Sequence, residues 1–195
     1  MAAFADFIDL QTAVVEHVGT STIADVFPRL VQLAEVNFNR RLRCRDMVTT
    51  AVVTITAGVG ALPADFIAAI GVYNVAGFEY VQQPLQAVKT TDTTQFYAIS
   101  GSNIVTKIAT ATVSLEYYAK VPTLAGVFTT TNWLLLKHPG LYLYAVGLEA
   151  AKYIRDLELA KVTAELAEME YQAVAAIDQD ERYSRARVRV AGVTP

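Results

Sequence analysis

Two histidines and one pair of glutamates are the residues whose type and spacing could support catalysis or metal binding. His17 and His138 stand neither in an HExxH motif nor near an Asp/Glu-His pattern. Glu165 and Glu168 are spaced i, i+3 and share a helix face, but a carboxylate-bridged metal site would add Glu-x-x-His pairs. The sequence contains no such pair. We therefore interpret His17 as an exposed helix residue, His138 as a turn residue and the glutamates as a solvated helix face.

The glycine-rich and cysteine-based sites are also missing from the sequence. Gly58 and Gly60 precede Pro63, which stands where a phosphate-binding GxGxxG motif needs its third glycine. Cys44 is the only cysteine, which excludes an intrachain disulfide and every Cys-based zinc motif. No GxSxG, Walker A or Cys/His arrangement is present. The sequence therefore predicts no catalytic residue, cofactor or metal, and it disfavours an enzyme.

A first basic cluster lies at the end of a predicted helix and consists of Arg40, Arg41, Arg43 and Arg45. Cations at this end of a helix interact favourably with its dipole, so solubility and helix-end electrostatics are the simplest interpretation. The segment 149–181 is rich in Asp and Glu. We predict that arginines of this cluster pair with acidic residues of an adjacent subunit.

A second basic cluster carries all the charge of the last 14 residues: Arg182, Arg185, Arg187 and Arg189. From residue 185 the arginines alternate with Ala186, Val188 and Val190, which is strand periodicity with one cationic and one apolar face. No partner strand adjoins this segment, so the sequence predicts an extended C-terminal arm. A disordered cationic end, docking to an acidic or strand-edge partner, and phosphate contact are all open. Tyr183 is the only aromatic residue available there for stacking on a base.

Composition limits the class of protein. The chain has 195 residues and a net charge of −3, from 16 basic and 19 acidic residues. A general nucleic-acid or membrane-surface binder would be clearly basic. Charged residues make up 18%, against about 25% in an ordinary domain. We therefore expect neighbouring subunits to cover part of the surface, the alternative being a monomer with a Thr-rich neutral coat.

Membrane insertion and secretion are not expected. The longest uncharged stretches, 47–64 and 121–136, reach at most 18 residues and are too rich in Thr for a membrane span. Asp6 and Asp9 interrupt the apolar N-terminus, and no basic region precedes it. The sequence predicts a soluble, non-secreted protein.

Threonine usage divides the chain, because 15 of the 20 threonines fall between residues 47 and 131. Thr suits strands, whereas the Ala, Leu, Glu and Arg of the flanks favour helix. We predict an α+β fold: a mainly helical bundle body (1–46 and 132–181), an inserted antiparallel β domain (47–131) and the C-terminal arm (182–195).

Helical periodicity identifies four helices in the flanks. They are expected at about 6–17, ending at Gly19, from Pro28 to near Arg45, from 141, and over the stripe Leu159, Val162, Leu166, Met169, Ala173 and Ile177. The last two stripes are out of phase, which predicts a break near Asp156. A capping box is expected at Ser21 or Thr22 with Asp25.

Period-two alternation predicts half-buried strands in the middle segment. Ala51, Val53, Ile55 and Ala57 share one face of the first, and Val113, Leu115 and Tyr117 share one face of the last. Further strands are expected near 66–73, 78–81, 96–99 and 103–108. Hairpin turns are expected at 58–60 and 101–103.

Several short strings occur in an order that resembles a known family. They are Leu33-Ala34-Glu35, Arg40-Arg41-Leu42-Arg43, Leu62-Pro63-Ala64-Asp65-Phe66, Tyr97-Ala98-Ile99, Leu115-Glu116-Tyr117-Tyr118 before Pro122, Asn132-Trp133-Leu134-Leu135, Pro139-Gly140-Leu141-Tyr142-Leu143-Tyr144-Ala145 and Glu149-Ala150-Ala151-Lys152-Tyr153. The set resembles the head-to-tail adaptor (connector) proteins of tailed bacteriophages, which include tail tubular proteins of short-tailed phages. The Arg-rich arm is not part of the shared strings.

The resemblance implies a structural protein of the virion, assembled in the host cytoplasm. Twelve copies would form a ring under the portal protein, and DNA would leave through its channel without sequence-specific binding. The helical body would build the ring, the β insert would face tail or nozzle proteins, and the arm would reach the portal. The alternatives are a tail-side ring protein further from the portal, and a small DNA-binding protein that uses the Arg clusters.

Overall fold

A computed structural model describes residues 4–91, 93–124 and 131–183. The chain divides into two compact units: the first comprises Met1–Asp46 and Val121–Pro195, the second Met47–Lys120. The helices are α1 (Phe7–Val18), α2 (Phe27–Arg41), α3 (Leu85–Thr90), α4 (Trp133–Lys137), α5 (Pro139–Ile154) and α6 (Leu157–Tyr183). The strands are β1 (Val48–Thr56), β2 (Val59–Ala61), β3 (Phe66–Asn74), β4 (Glu79–Gln82), β5 (Phe96–Ser100), β6 (Asn103–Thr106) and β7 (Thr110–Ala119).

Helix α1 confirms the first predicted helix and its end. The Asp6 side chain caps it by accepting hydrogen bonds from the backbone N–H groups of Ile8 and Asp9. Gly19 follows the helix with a φ of 74°, a left-handed conformation that glycine adopts without strain. Both ends are therefore set by residues next to the helix in sequence.

Helix α2 starts as predicted, with Pro28 in its first turn, but its cap and its end differ from the prediction. Residues Ser21–Val26 form a 3₁₀ turn capped by Thr20, so the expected capping box is not the start of α2. The helix ends at Arg41 because Leu42 takes an extended conformation. Residues 42–44 then follow as non-helical backbone. The basic cluster is consequently split between the last turn of α2 and the segment after it.

The predicted break near Asp156 is confirmed. Arg155 ends α5 in the left-handed region, with a φ of 63°. The Asp156 Oδ1 atom then accepts a hydrogen bond of 2.9 Å from the Leu159 N–H in the first turn of α6. A carboxylate in this position caps the new helix and interacts favourably with the positive N-terminal end of its dipole.

Helix α6 buries a different face from the stripe that predicted it. Its buried residues are Thr163, Ala167, Tyr171 and Val174. Val162 and Met169, which belong to the predicted stripe, are 53% and 65% exposed. Periodicity correctly identified the helix, but four of the six stripe residues are exposed, and only Leu159 and Leu166 are half-buried.

In the second unit, the seven strands close into a barrel in the order β1-β2-β6-β5-β4-β3-β7. β1 and β7 complete the closure by pairing antiparallel from Val48 opposite Tyr118 to Thr56 opposite Thr110. The predicted inward faces are confirmed for these two strands, since Val53, Ile55, Val113, Leu115 and Tyr117 are buried together in the barrel core. Val52, on the opposite face of β1, is 73% exposed.

The predicted fold class is wrong. In place of a helical bundle body with an inserted antiparallel β domain, the structure has a closed seven-stranded barrel. One of its pairs, β4 with β5, is parallel. The crossover between these strands contains α3, which the sequence did not predict. Alternation shows that a strand has one buried face, but barrel closure depends on pairing between strands more than 50 residues apart.

No helix in the described part of the chain is long and apolar enough to cross a membrane. Over the same residues, no group of three or more His, Cys, Asp or Glu side chains could hold a metal ion.

Candidate protein interface

The residues considered for catalysis are placed separately by the structure. His17 packs edge-on against Tyr144, with ring centroids 5.7 Å apart. His138 lies between α4 and α5, and burial lowers its pKa while the nearby Asp46 carboxylate opposes that shift. Glu168 is exposed and bonded to Arg41. His17, His138 and Glu168 therefore contact different neighbours, and they do not form a shared site.

The side chain of Arg41, the last residue of α2, lies against the surface of α6. Its Nη2 atom donates a hydrogen bond of 2.6 Å to the Glu168 carboxylate, and its guanidinium group lies 3.8 Å from the centre of the Tyr171 ring. The hydrogen bond from Arg41 lowers the pKa of Glu168. Both partners of this ion pair are about half exposed, so the pair contributes only about 0.2–1 kcal/mol. Its main effect is to direct Arg41 toward its own chain.

Arg45 is held by the last turns of α6. Its backbone N–H donates a 2.6 Å hydrogen bond to Asp178, and its guanidinium group pairs with Glu181. Arg182 also binds Asp178, with 2.7 Å between Nε and Oδ2. Within the basic cluster, the ion pairs of Arg41 and Arg45 are thus made inside the protomer.

Arg43 donates hydrogen bonds to the backbone carbonyl oxygens of Asn39 and Leu42. A groove of about 380 Å³ opens between residues 41–44 and one side of α6, where Gln172 and Gln179 contribute to its lining. Arg43 therefore sits at a groove wall, bonded to backbone rather than to an acidic side chain.

Arg40 differs from the other members of the cluster. It is exposed in the last turn of α2. Among the residues that the structure describes, it takes part in no ion pair, and the same holds for Arg29 in the first turn of this helix. A charged side chain without an internal partner is the kind that remains available to another molecule.

The predicted portal-binding residues are only partly described. Arg182 and Tyr183 are the last two residues of α6. Arg185, Arg187, Val188, Arg189 and Val190 lie outside the described residues. Their role in the arm stays a prediction.

A buried polar cluster, which sequence reasoning missed, lies inside the first unit. Glu35 is only 5% exposed and accepts hydrogen bonds from the Leu124 N–H at 2.7 Å and from the Thr123 hydroxyl at 2.6 Å. The Tyr142 hydroxyl also donates to Glu35, at 3.3 Å, and accepts from Asn132 Nδ2 at 2.7 Å. Burial raises the pKa of Glu35, and these hydrogen bonds oppose that rise.

Asn132 connects this cluster to the start of α4. Its Nδ2 atom donates to the carbonyl oxygen of Pro122 at 2.6 Å, and its Oδ1 atom accepts from the Leu135 N–H at 2.9 Å. The side chain therefore caps α4 and fixes the chain on both sides of residues 125–130. Burial, with the Glu35 charge as the next cause, raises the pKa of Tyr142, so this hydroxyl stays protonated.

Comparison with known proteins decides the family. A family model described as SU10 adaptor protein matches residues 5–191, nearly the whole chain. The chain belongs to the SU10 adaptor protein family. Its role is that of a structural phage adaptor, a component of the virion that interacts with head and tail components. No curated protein matches the chain.

The match confirms the coarser part of the resemblance, a phage adaptor, and leaves the connector or tail tubular type as a prediction. The strings that carried the resemblance also meet inside the adaptor. Glu35, Pro122, Asn132 and Tyr142 come from four of them, and all four take part in the buried polar cluster.

Two of these strings also contact each other in the barrel. The Tyr117 hydroxyl donates a 3.0 Å hydrogen bond to Asp65, which joins the Leu115–Tyr118 and Leu62–Phe66 strings. The Phe66 ring stacks on the Tyr117 ring, with centroids 5.7 Å apart. Five of the eight strings therefore take part in contacts inside their own unit.

Proposed function

We propose that this adaptor forms a ring of twelve copies beneath the portal of a tailed phage and surrounds the channel through which DNA leaves. The observation that carries the proposal is the match of the phage adaptor family over residues 5–191. In this proposal the helices of the first unit build the ring, the second unit (Met47–Lys120) faces the tail, and the segment after Tyr183 reaches the portal. DNA passes through without sequence-specific contacts.

The composition of the surface supports a protein that works through contacts with other proteins. Exposed apolar side chains occur on both units, among them Val75 and Phe78 in the second, which are 88% and 66% exposed. These two residues lie at the turn between β3 and β4, where the Asn74 side chain accepts hydrogen bonds from the N–H groups of Ala76 and Phe78. We assign this tip to the contact with a tail or nozzle protein.

The Arg cluster argues against the alternative of a DNA-binding protein. Arg41 and Arg45 are neutralised by Glu168 and Glu181 of the same chain. Carboxylates beside these arginines would repel a phosphate backbone, since DNA affinity depends on cations that are free to replace counterions. An acidic or apolar protein partner fits this surface better.

The proposal for the arm rests on its sequence pattern. An extended segment with an apolar face of Val188 and Val190 and a cationic face of arginines can add to a sheet edge or an apolar groove through main-chain hydrogen bonds. Docking orders the segment at a cost of about 1–2 kcal/mol per backbone residue, so it needs a preformed partner. The portal is the partner we assign.

The experiment is a binding measurement with purified portal. Deleting the residues after Tyr183 is expected to abolish portal binding and to leave the melting temperature within about 2 °C of the full chain, since every described helix and strand is retained. Replacing Arg185, Arg187 and Arg189 by Ser serves as the matched variant, which removes charge and keeps the apolar face. Undiminished binding by the deleted chain would remove the arm from the interface. Electron microscopy of the portal complex then tests the copy number.

A further inference from the structure

An apolar stripe runs along α6, and four of its five residues are exposed, whereas Leu166 is half-buried. The stripe consists of Val162, Leu166, Met169, Ala173 and Ile177. The steps of four, three, four and four place these residues on one face of the helix. Met169 is 65% and Ile177 46% exposed. Helix α6 buries a neighbouring face through Ala167, Tyr171 and Val174, so the exposed side chains of the stripe are available to another molecule.

The charges around the stripe restrict what can cover it. Helix α6 carries seven acidic residues, Glu158, Glu165, Glu168, Glu170, Asp178, Asp180 and Glu181, and two basic ones, Lys161 and Arg182. Glu168, Asp178 and Glu181 pair with arginines of the same chain, and the other four have no ion pair among the described residues. Two α6 helices packed against each other would bring like charges together. The stripe therefore favours an apolar partner with basic residues at its ends.

The exposed face of α2 has this composition. Its residues are Arg29, Leu33, Val36 and Arg40, spaced by four, three and four like the α6 stripe. Leu33 and Val36 are 52% and 45% exposed, and the other face of α2 is buried. Arg29 and Arg40 have no ion pair in the described part of the chain.

The lengths of the two faces also agree. Arg29 and Arg40 are eleven residues apart, or about 16 Å along the helix axis. On α6, Glu165 and Asp180 enclose Met169, Ala173 and Ile177 over fifteen residues, about 22 Å. The extra length is within the reach of arginine side chains. Leu33 and Val36, enclosed by Arg29 and Arg40, can therefore lie on the apolar residues that Glu165 and Asp180 enclose.

We infer that the α6 stripe of one copy binds the α2 face (Arg29, Leu33, Val36 and Arg40) of the next copy. The contact joins two different surfaces of the same chain, so it is heterologous and repeats from copy to copy. A repeated contact of this kind closes into a ring when the rotation allows it. The inference rests on the proposed ring and names the surfaces that would form it. It also distinguishes Arg40, which acts between copies, from Arg41 and Arg45, which act within one.

Cysteine cross-linking tests the contact in the full-length protein. Val36→Cys is combined in turn with Leu166→Cys, Met169→Cys, Ala173→Cys and Ile177→Cys, and each protein is assembled on purified portal and mildly oxidised. A disulfide needs Cα atoms within about 7 Å, so it forms only where the two faces touch. At least one combination is expected to give a ladder of cross-linked multimers on a non-reducing gel.

Single variants and the native chain are the controls. Each single variant and the native chain, whose Cys44 is buried, should give no ladder. Ile8→Cys with Ala173→Cys is the matched pair, because Ile8 is similarly exposed on α1, outside the proposed contact. A dimer from Ala173→Cys alone would show that α6 pairs with itself and would overturn the inference.

Met169→Gln gives an independent measurement. It is expected to lower the yield of rings at least tenfold without changing the melting temperature, whereas Ile8→Gln should leave the yield unchanged. The inference is overturned if Met169→Gln forms rings normally and none of the four cysteine pairs gives a cross-link. That result would leave the proposed function intact. A native chain that forms no ring on the portal would overturn the proposed function itself.

Discussion

Replacing Tyr142 by Phe removes one hydroxyl group from the centre of the buried polar cluster and keeps the aromatic ring. The ring is fully buried and packs edge-on against Phe38, with centroids 4.9 Å apart, so the packing is retained. The hydroxyl accepts from Asn132 at 2.7 Å and donates to Glu35 at 3.3 Å. Both bonds are lost, and both partners stay buried.

The size of the effect follows from what each partner retains. Asn132 keeps its hydrogen bond to Pro122, and Glu35 keeps its bonds to Thr123 and Leu124. Neither partner is left entirely unsatisfied, so the cost is that of one good neutral bond and one long bond to a carboxylate. We expect the free energy of unfolding to fall by about 1–3 kcal/mol.

Guanidinium chloride unfolding at neutral pH, followed by circular dichroism, measures this loss. Tyr171→Phe is the matched control, since Tyr171 is also buried against Phe38 but forms no hydroxyl hydrogen bond with the described residues. The control should change the free energy of unfolding by less than about 0.5 kcal/mol. Equal losses in the two variants would refute the argument that the hydroxyl bonds, rather than the rings, stabilise this region.

Two further predictions concern pH and backbone conformation. Burial raises the pKa of Glu35 above its ordinary 4.5, so the native chain should lose stability relative to Glu35→Gln as pH rises from 4.5 toward neutrality. Urea unfolding of both proteins over this pH range measures the difference in their free energies of unfolding. A difference that stays constant with pH would contradict the reasoning. Gly58→Ala should destabilise more than Gly77→Ala in thermal melts, although both glycines have positive φ, because a Cβ atom at Gly58 would lie 2.8 Å from the Thr106 carbonyl oxygen and one at Gly77 meets open space. Equal melting temperatures would contradict that steric argument.

Local features of the fold were predictable because their causes are adjacent in sequence. Asp6 and Gly19 flank α1, and Asp156 stands at the start of α6. Period-two alternation identified β1 and β7 together with their buried faces. In each case the determining residues lie within one or two turns, or within one strand.

The polar cluster around Glu35 could not be found in this way. Glu35 looks like one more charged residue in a helix, and its partners Thr123 and Tyr142 follow 88 and 107 residues later. The signal that did exist was the set of family strings, which contained Glu35, Asn132 and Tyr142 without showing that they touch. Only folding brings a carboxylate, a hydroxyl and an amide together from such distances.

The arginine cluster shows the same limit at the surface. The sequence identified Arg40, Arg41 and Arg45 as a group because they are close together in the chain. The structure separates them, since Arg41 and Arg45 meet carboxylates of α6 and Arg40 does not. Whether a cation is used inside the protomer depends on which acidic side chain a distant helix places beside it.

By itself, the sequence determined the periods of the helices and strands, the ends that neighbouring residues cap, and the strings typical of a phage adaptor. The tertiary structure decided what covers each face: it closed the strands into a barrel and left the apolar stripe with Met169 on the surface of α6. Periodicity is a property of a few consecutive residues and shows that a face is apolar. The partner of that face is set by contacts between segments far apart in the chain, which no local pattern contains.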